Sequence, residues 1–158
     1  MGTVRVGVGC FVLNEKNEFI VGLRKGSHGA GCIQLPGGHL ELTETFQSCA
    51  IREVLEETGI ELNPDRDQLE VVTATNDVFV EAKKHYVTVF VKARVQGRTV
   101  EPKILEPEKC ESWNWTTWAD IVRIAQSDDH AERERLFLPL RNLVEQYPEI
   151  DPTAPCIE

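Results

Sequence analysis

The chain has 158 residues, 41% hydrophobic and 27% charged, which is the profile of one soluble folded domain and excludes a disordered or membrane-spanning chain. Its 17 basic and 26 acidic residues leave a formal charge of −9, which repels a nucleic-acid backbone; neither polymeric nucleic acid nor a membrane is expected as a partner. Five widely spaced cysteines without a C-x-x-C pair argue against a disulfide framework or a zinc site and for a reducing compartment.

In chain order, Val4–Leu13 alternates valines with Gly and Cys and predicts a buried strand, and residues 14–17 supply a turn before a second strand at Phe19–Arg24. Residues 26–31 form a glycine-rich loop that lacks the G-K-[ST] of a phosphate-binding P-loop, so a flexible loop beside a pocket is the simpler reading. A short strand at 32–35 is expected to stop at Pro36-Gly37-Gly38. A helix then starts near Thr43 or Thr45 as N-cap and ends at Thr58-Gly59. Period-two patterning predicts strands at 69–79 and 85–95, and a further strand at Cys110–Thr116. On these strands His85 and Tyr86 read as cross-strand packing residues, and Trp113, Trp115 and Trp118 as core and edge packing.

Helical spacing marks Trp118–Ala125 and residues 133–147, with Pro139 tolerable only near a helix start, so the last helix should begin near Phe137. Residues 63–67 and 126–132 are polar connectors. Residues 1–150 are expected to form a single domain and 151–158 a loose tail. No secretory signal is expected, and two lipidation look-alikes fail: Val6 stands where a myristoylation motif wants Ser or Thr, and Cys156 is third from the end, where prenylation needs fourth. The expected setting is cytoplasmic. Strands that precede, flank and follow one central helix indicate an α/β fold with helices packed on a mixed sheet.

Chemistry concentrates on that central helix. At about 100° per residue, Ala50, Ile51, Val54 and Leu55 fall on one arc, and Arg52, Glu53, Glu56 and Glu57 on the other. Three carboxylates within one turn repel one another. The bland reading is a solvated acidic face; the sharper one is a site for a hard cation with oxygen ligands, Mg²⁺ or alternatively Mn²⁺. The flanks favour the second reading. Gly37 and Gly38 allow close approach of backbone to a ligand, Glu44 adds a fourth carboxylate, and Arg52 can pair with Glu44 or Glu56 and fix their rotamers.

Gly38, Glu44, Arg52, Glu53, Val54, Glu56, Glu57, Gly59 and Ile60 together fill the pattern G-x5-E-x7-R-E-U-x-E-E-x-G-U, with U aliphatic. This stretch resembles the Nudix box. The resemblance implies a Nudix fold, an α/β/α sandwich around a mixed sheet, and a divalent-metal hydrolase of phosphoanhydride bonds. It implies Glu53, Glu57 and Glu56 as metal ligands and catalytic groups, with Glu44 and Arg52 as supports. The proton acceptor is left open among Glu56, Glu57, Glu106, Glu108 and Glu111.

Four further stretches, Arg24-Lys25-Gly26-Ser27, residues 34–41 (QLPGGHLE), His85-Tyr86-Val87-Thr88 and residues 106–113 (EPEKCESW), resemble a MutT-like branch, the nucleotide triphosphate diphosphatases of the Nudix motif 15 kind. That branch implies hydrolysis of (deoxy)nucleoside triphosphates, including oxidised or modified guanine nucleotides, to monophosphate and pyrophosphate. It also implies sanitation of the nucleotide pool and a homodimer. By position it assigns Leu35 and Thr88 to the base pocket, Phe137 to stacking, and His39, Gly37, Gly38 and Arg24 to the polyphosphate side. The sequence departs from the branch at Leu138-Pro139, where Trp-Gly is usual, which opens the choice of base. The alternatives are ADP-ribose, dinucleoside polyphosphate or capped RNA as substrate, and a nucleotide-binding module without turnover.

Overall fold

The computed structural model describes residues 2–26 and 28–155; Ser27 of the first matching stretch and the C-terminal Cys156 lie outside it. Among these residues seven strands, β1 (Val4–Leu13), β2 (Phe19–Arg24), β3 (Ile33–Gln34), β4 (Gly37–His39), β5 (Glu70–Phe79), β6 (Lys84–Arg94) and β7 (Cys110–Thr116), form one mixed sheet. Among the described residues four helices accompany it: α1 (Phe46–Thr58), α2 (Trp118–Ala125), α3 (His130–Arg133) and α4 (Leu138–Gln146).

Alternation along β1 divides the molecule into layers. Successive side chains of a strand point to opposite faces, so Val8, Cys10 and Val12 enter a core with Cys49, Ala50 and Val54 of α1. Phe11 and Leu13 enter a second core with Ile121 of α2 and Leu140, Leu143 and Val144 of α4. The result is the expected α/β/α sandwich. Phe11, Phe19 and Phe90 are fully buried, each contributing about 1.5–3 kcal/mol of hydrophobic stabilisation.

The sheet is mixed because β1 runs parallel to β6, from Val4 opposite His85 to Leu13 opposite Arg94. The other edge of β1 is divided. β4 pairs antiparallel with its first half, Gly7 opposite His39 and Gly9 opposite Gly37, and β2 meets it at Leu13 opposite Phe19. β2 in turn carries β3 and β7, both antiparallel.

Four expectations change. The Pro36-Gly37-Gly38 segment, expected to end a strand at 32–35, instead carries β4, because the Cβ-free backbone at Gly37 can lie against Val8 and pair with β1. Of the helical spacing expected over 133–147, α4 takes only 138–146, beginning where expected, with Phe137 at its N-cap and Pro139 in its first turn, where a missing N–H costs nothing; Arg133 instead ends α3. The polar connector at 126–132 contributes the start of α3. The tail expected to be loose is pinned as far as Ala154: Pro152 and Thr153 are buried, Lys92 Nζ donates to the Ala154 carbonyl at 2.9 Å, and Arg94 donates to the Thr153 carbonyl at 2.8 Å.

Candidate active site

The acidic helix is anchored at both ends by local chemistry. Thr45, rather than Thr43, is the N-cap: its Oγ1 accepts from the Ser48 N–H at 3.0 Å, and Ser48 Oγ accepts from the Thr45 N–H at 2.9 Å. Gly59 ends the helix in the left-handed conformation at φ 77°, its N–H donating to the Leu55 carbonyl.

Between these ends the helix is rotated relative to the expected arcs. Leu55, expected to pack, is 42% exposed, whereas Glu57, expected on the polar arc, is 8% exposed. The reason is β4. Its glycines allow the helix to come so close that the carboxylates of Glu53 and Glu57 lie against main chain. A Cβ on Gly38 would stand 2.4 Å from the Glu53 carboxyl, and one on Gly37 would stand 2.0 Å from the Val8 carbonyl oxygen. The Gly37 N–H donates to Glu57 Oε1 at 3.1 Å.

Arg52 organises the remaining carboxylates. It grips Glu44 through two bonds, Nε to Oε2 at 2.8 Å and Nη2 to Oε1 at 3.0 Å, the bidentate geometry that favours arginine over lysine. Nη1 donates to Glu53 Oε1 at 2.7 Å and to Glu56 Oε2 at 3.4 Å, and Nη2 donates to the His39 carbonyl at 3.0 Å. Arg52, expected to pair with Glu44 or Glu56, thus reaches both, with Glu53 and the β4 backbone added.

These partners separate the acids electrostatically. The Arg52 hydrogen bond holds Glu44 down at about 2, and Glu44 in turn raises the arginine. Burial pushes Glu57 up to about 8, opposed by the Gly37 N–H and assisted by the charges of Glu53 and Glu106. Glu53 is also raised by burial, with Arg52 pulling the other way. Of the three later carboxylates considered as proton acceptors, Glu106 is the one whose charge reaches both Glu53 and Glu57; it is paired with Lys109 at 3.0 Å.

Glu56 does not join the other two as expected. It is turned toward solvent, and among the described residues no three His, Cys, Asp or Glu side chains stand ready-made around one metal position. The donor set nevertheless fits a hard divalent cation: Glu57 is a buried carboxylate beside like charges, and the absent side chain of Gly38 leaves the Glu53 carboxylate against backbone.

On the other side of β4 lies a cavity of about 170 Å³. Alternation explains its position: on the face of β1 that carries Phe11 and Leu13, the two preceding positions are Gly7 and Gly9, so the core stops and a floor remains. Neighbouring β6 sets Tyr86, Thr88 and Phe90 beside that floor. The cavity brings together Arg24, Leu35, Gly37, Gly38, His39, Thr88 and Phe137, all seven residues nominated for substrate contact.

Its rim is aromatic. Phe137 packs against Phe79 at a centroid distance of 5.4 Å and edge-on to His28 at 5.7 Å, while Tyr86 stacks on His39 at 5.6 Å. The guanidinium of Arg24 lies 3.9 Å over the Phe137 ring, its Nε donates to the His28 carbonyl at 3.1 Å and Nη1 to Gln34 Oε1 at 2.5 Å. Arg24 therefore supports the ring as well as lining the cavity. Burial lowers the pKa of both His28 and His39, assisted by nearby cations.

Several lining residues were not singled out in the sequence. Tyr86, expected merely to pack, donates or accepts at His39 Nε2 across 3.1 Å and faces the cavity; His85 on the other face bonds Asn76 at 2.6 Å. His28, Gln34 and Phe79 had no signal of their own; Gln34 alone lay in a matching stretch. At the departure from the branch pattern, Pro139 lines the cavity and Leu138 does not. The tryptophans do pack: Trp118 lies edge-on to Phe11 at 5.9 Å, and Trp113 and Trp115 lie on the α1 side.

Comparison with known proteins agrees with this architecture. The family model described as NUDIX domain matches residues 3–140, and the chain belongs to the Nudix family. Among curated relatives, the zebrafish (Danio rerio) m7GpppN-mRNA hydrolase NUDT17 is 27% identical over 66% of this chain and 37% of its own length. The Escherichia coli 8-oxo-dGTP diphosphatase is 36% identical over 38% of this chain and 46% of its own. The matched stretches thus span less than half of either relative. Among solved structures, a MutT NUDIX hydrolase from Burkholderia pseudomallei is 25% identical with a TM-score of 0.65, covering 89% of this chain and 98% of that one. A MutT protein from Methanosarcina mazei shares the fold at a TM-score of 0.70 and 23% identity, covering 93% and 94%. Among the described residues no helix is long and apolar enough to cross a membrane.

Proposed function

We propose that the chain is a nucleoside triphosphate diphosphatase, releasing a nucleoside monophosphate and pyrophosphate, with oxidised or modified guanine nucleotides within its range. One observation carries this reading: the Gly37–Gly38 strand is a thin wall with the carboxylates of Glu53 and buried Glu57 on one side and an aromatic cavity on the other. A base held between Phe137 and the cavity floor puts its polyphosphate at that wall. Glu53 and Glu57, with Glu56 swung in from solvent, would hold the divalent ion, Mg²⁺ or alternatively Mn²⁺. When bound, such an ion neutralises phosphate oxygens and lowers the pKa of a coordinated water.

The protein's own part is positioning. Arg52 locks Glu44 and Glu53 and ties them to the His39 carbonyl, so the acidic edge and the cavity wall keep one spacing. Glu106, paired with Lys109 beside the same carboxylates, is the later-loop group best situated to take a proton from the attacking water. The aromatic rim excludes water from the base. The homodimer, the cytoplasmic setting and the role in cleaning the nucleotide pool belong to the same reading; light scattering of the purified protein checks the first.

A second reading has one specific support, the zebrafish relative named for mRNA-cap hydrolysis over two thirds of this chain, while the charge of −9 weighs against an RNA chain. The test is a panel of nucleoside triphosphates, ADP-ribose, diadenosine polyphosphates and capped RNA with Mg²⁺, scoring pyrophosphate against phosphate. Pyrophosphate from a triphosphate is the expected product. Turnover of capped RNA alone moves the assignment to the second reading, and inertness toward every member leaves a binding module.

A further inference from the structure

Beneath the cavity lies a buried acid that neither the metal edge nor the aromatic rim uses. Asp77, on β5 opposite Tyr86 of β6, is fully buried and faces the layer of α4. Three donors aim at its carboxylate: Thr75 Oγ1 to Oδ2 at 3.0 Å, Thr88 Oγ1 to Oδ2 at 2.5 Å, and Asn142 Nδ2 to Oδ1 at 2.9 Å. An ionised carboxylate only accepts, and a threonine hydroxyl has one hydrogen to give. With both hydroxyl hydrogens turned to Oδ2, Thr88 Oγ1 shows the cavity lone pairs alone.

Thr88 lines the cavity. Thr88 is the register partner of Gly7, and a Cβ built on Gly7 would still stand 4.0 Å from Thr88 Oγ1 and 3.8 Å from the Gly38 carbonyl oxygen. The absent Gly7 side chain therefore leaves the Thr88 hydroxyl oxygen at the floor of the cavity that both residues line. We propose that Asp77 is a positioning residue that holds Thr88 as an obligate hydrogen-bond acceptor, so that the cavity selects bases presenting an N–H donor at this edge. The inference rests on the reading of the cavity as a base site.

The experiment uses monophosphates, which contain no anhydride bond and so report binding without turnover. Titration calorimetry compares dGMP and dAMP, whose bases carry N–H donors, with the monophosphate of unsubstituted purine deoxyriboside, whose base carries none on that edge. Wild-type protein should prefer one of the donors by about 10-fold, the scale of one hydrogen bond. In Asp77→Asn the amide donates to the Thr88 oxygen and turns its hydrogen to the cavity, so the preference should fall to about twofold or reverse. Thr88→Ser should keep the preference, and Thr88→Val should lose it.

Equal affinity of the wild type for all three overturns the inference and leaves the base site standing. Uniform weakening of all three by Asp77→Asn, with the preference intact, reduces Asp77 to packing and also overturns it. Failure of all three to bind removes the base site itself, and the inference with it. Where Asp77→Asn does not fold, the wild-type comparison and the Thr88 variants still expose the inference to refutation.

Discussion

The two sides of the β4 wall are built in opposite ways. The acidic side is a local device: from Gly37 to Glu57 nearly every functional contact joins residues of one short stretch, with Arg52 at the centre. The cavity side is assembled from β1, β4, β6, the loop before β3 and the start of α4, and Phe137 reaches Phe79 and His28 across the fold. A local device can hold one bond-breaking chemistry while the dispersed side changes its ligand. The Nudix relatives, named for such different substrates, accord with that division.

The sharpest way to separate the two sides is to damage one and measure both. Glu57→Gln or Glu53→Gln should lower kcat by about 10² or more, in line with removal of a key electrostatic group, while monophosphate affinity measured by calorimetry stays unchanged. A near wild-type rate at saturating Mg²⁺ would remove both residues from the metal edge. Gly38→Ala presses on the same carboxylate from the wall and should cost about 10-fold in kcat, since displacement by an ångström is enough to spoil alignment.

Phe137→Ala addresses the other side. It removes the ring under the Arg24 guanidinium and should raise KM about 10-fold with kcat little changed, the signature of lost uniform binding. A fall in kcat alone would mean that the ring acts on the acidic edge and that the two sides are not separable.

The smallest effect is on stability. Glu44 titrates near 2 in the folded chain against about 4.5 in its ordinary state, so its pairing with Arg52 stabilises fully above that ordinary value. The contribution is lost as pH falls through the folded value. Comparing the melting temperature of wild type and Glu44→Gln, the wild type should lead by about 2–4 °C at pH 6, with the lead closing toward pH 2. A lead that persists at pH 2 would show that the Arg52 grip is not the cause.

Much of this was legible in the sequence, for identifiable reasons. The strand at Val4–Leu13, a threonine cap at 43 or 45, which the structure settles at Thr45, and the stop at Gly59 are short-range patterns, and the structure keeps them. The outward turn of Leu55 and the burial of Glu57 were not legible, because the spacing of a helix says which residues share an arc and not which arc meets the sheet. β4 was read as a terminator for a related reason: two glycines end a strand in isolation, yet here their missing side chains let main chain, helix and β1 come together.

The sequence by itself determined the acidic edge, since the spacing of Arg52, Glu53, Glu56 and Glu57 follows from the helix they share, and it placed the chain's family resemblance there. Tertiary structure alone decided the cavity and what lies beneath it. Thr88 was nominated by resemblance alone, and Asp77 and Asn142 carry no signal until β5, β6 and α4 bring three donors, Thr75, Thr88 and Asn142, within hydrogen-bond distance of one buried carboxylate. Contacts of that kind depend on how layers pack, a property no single stretch contains.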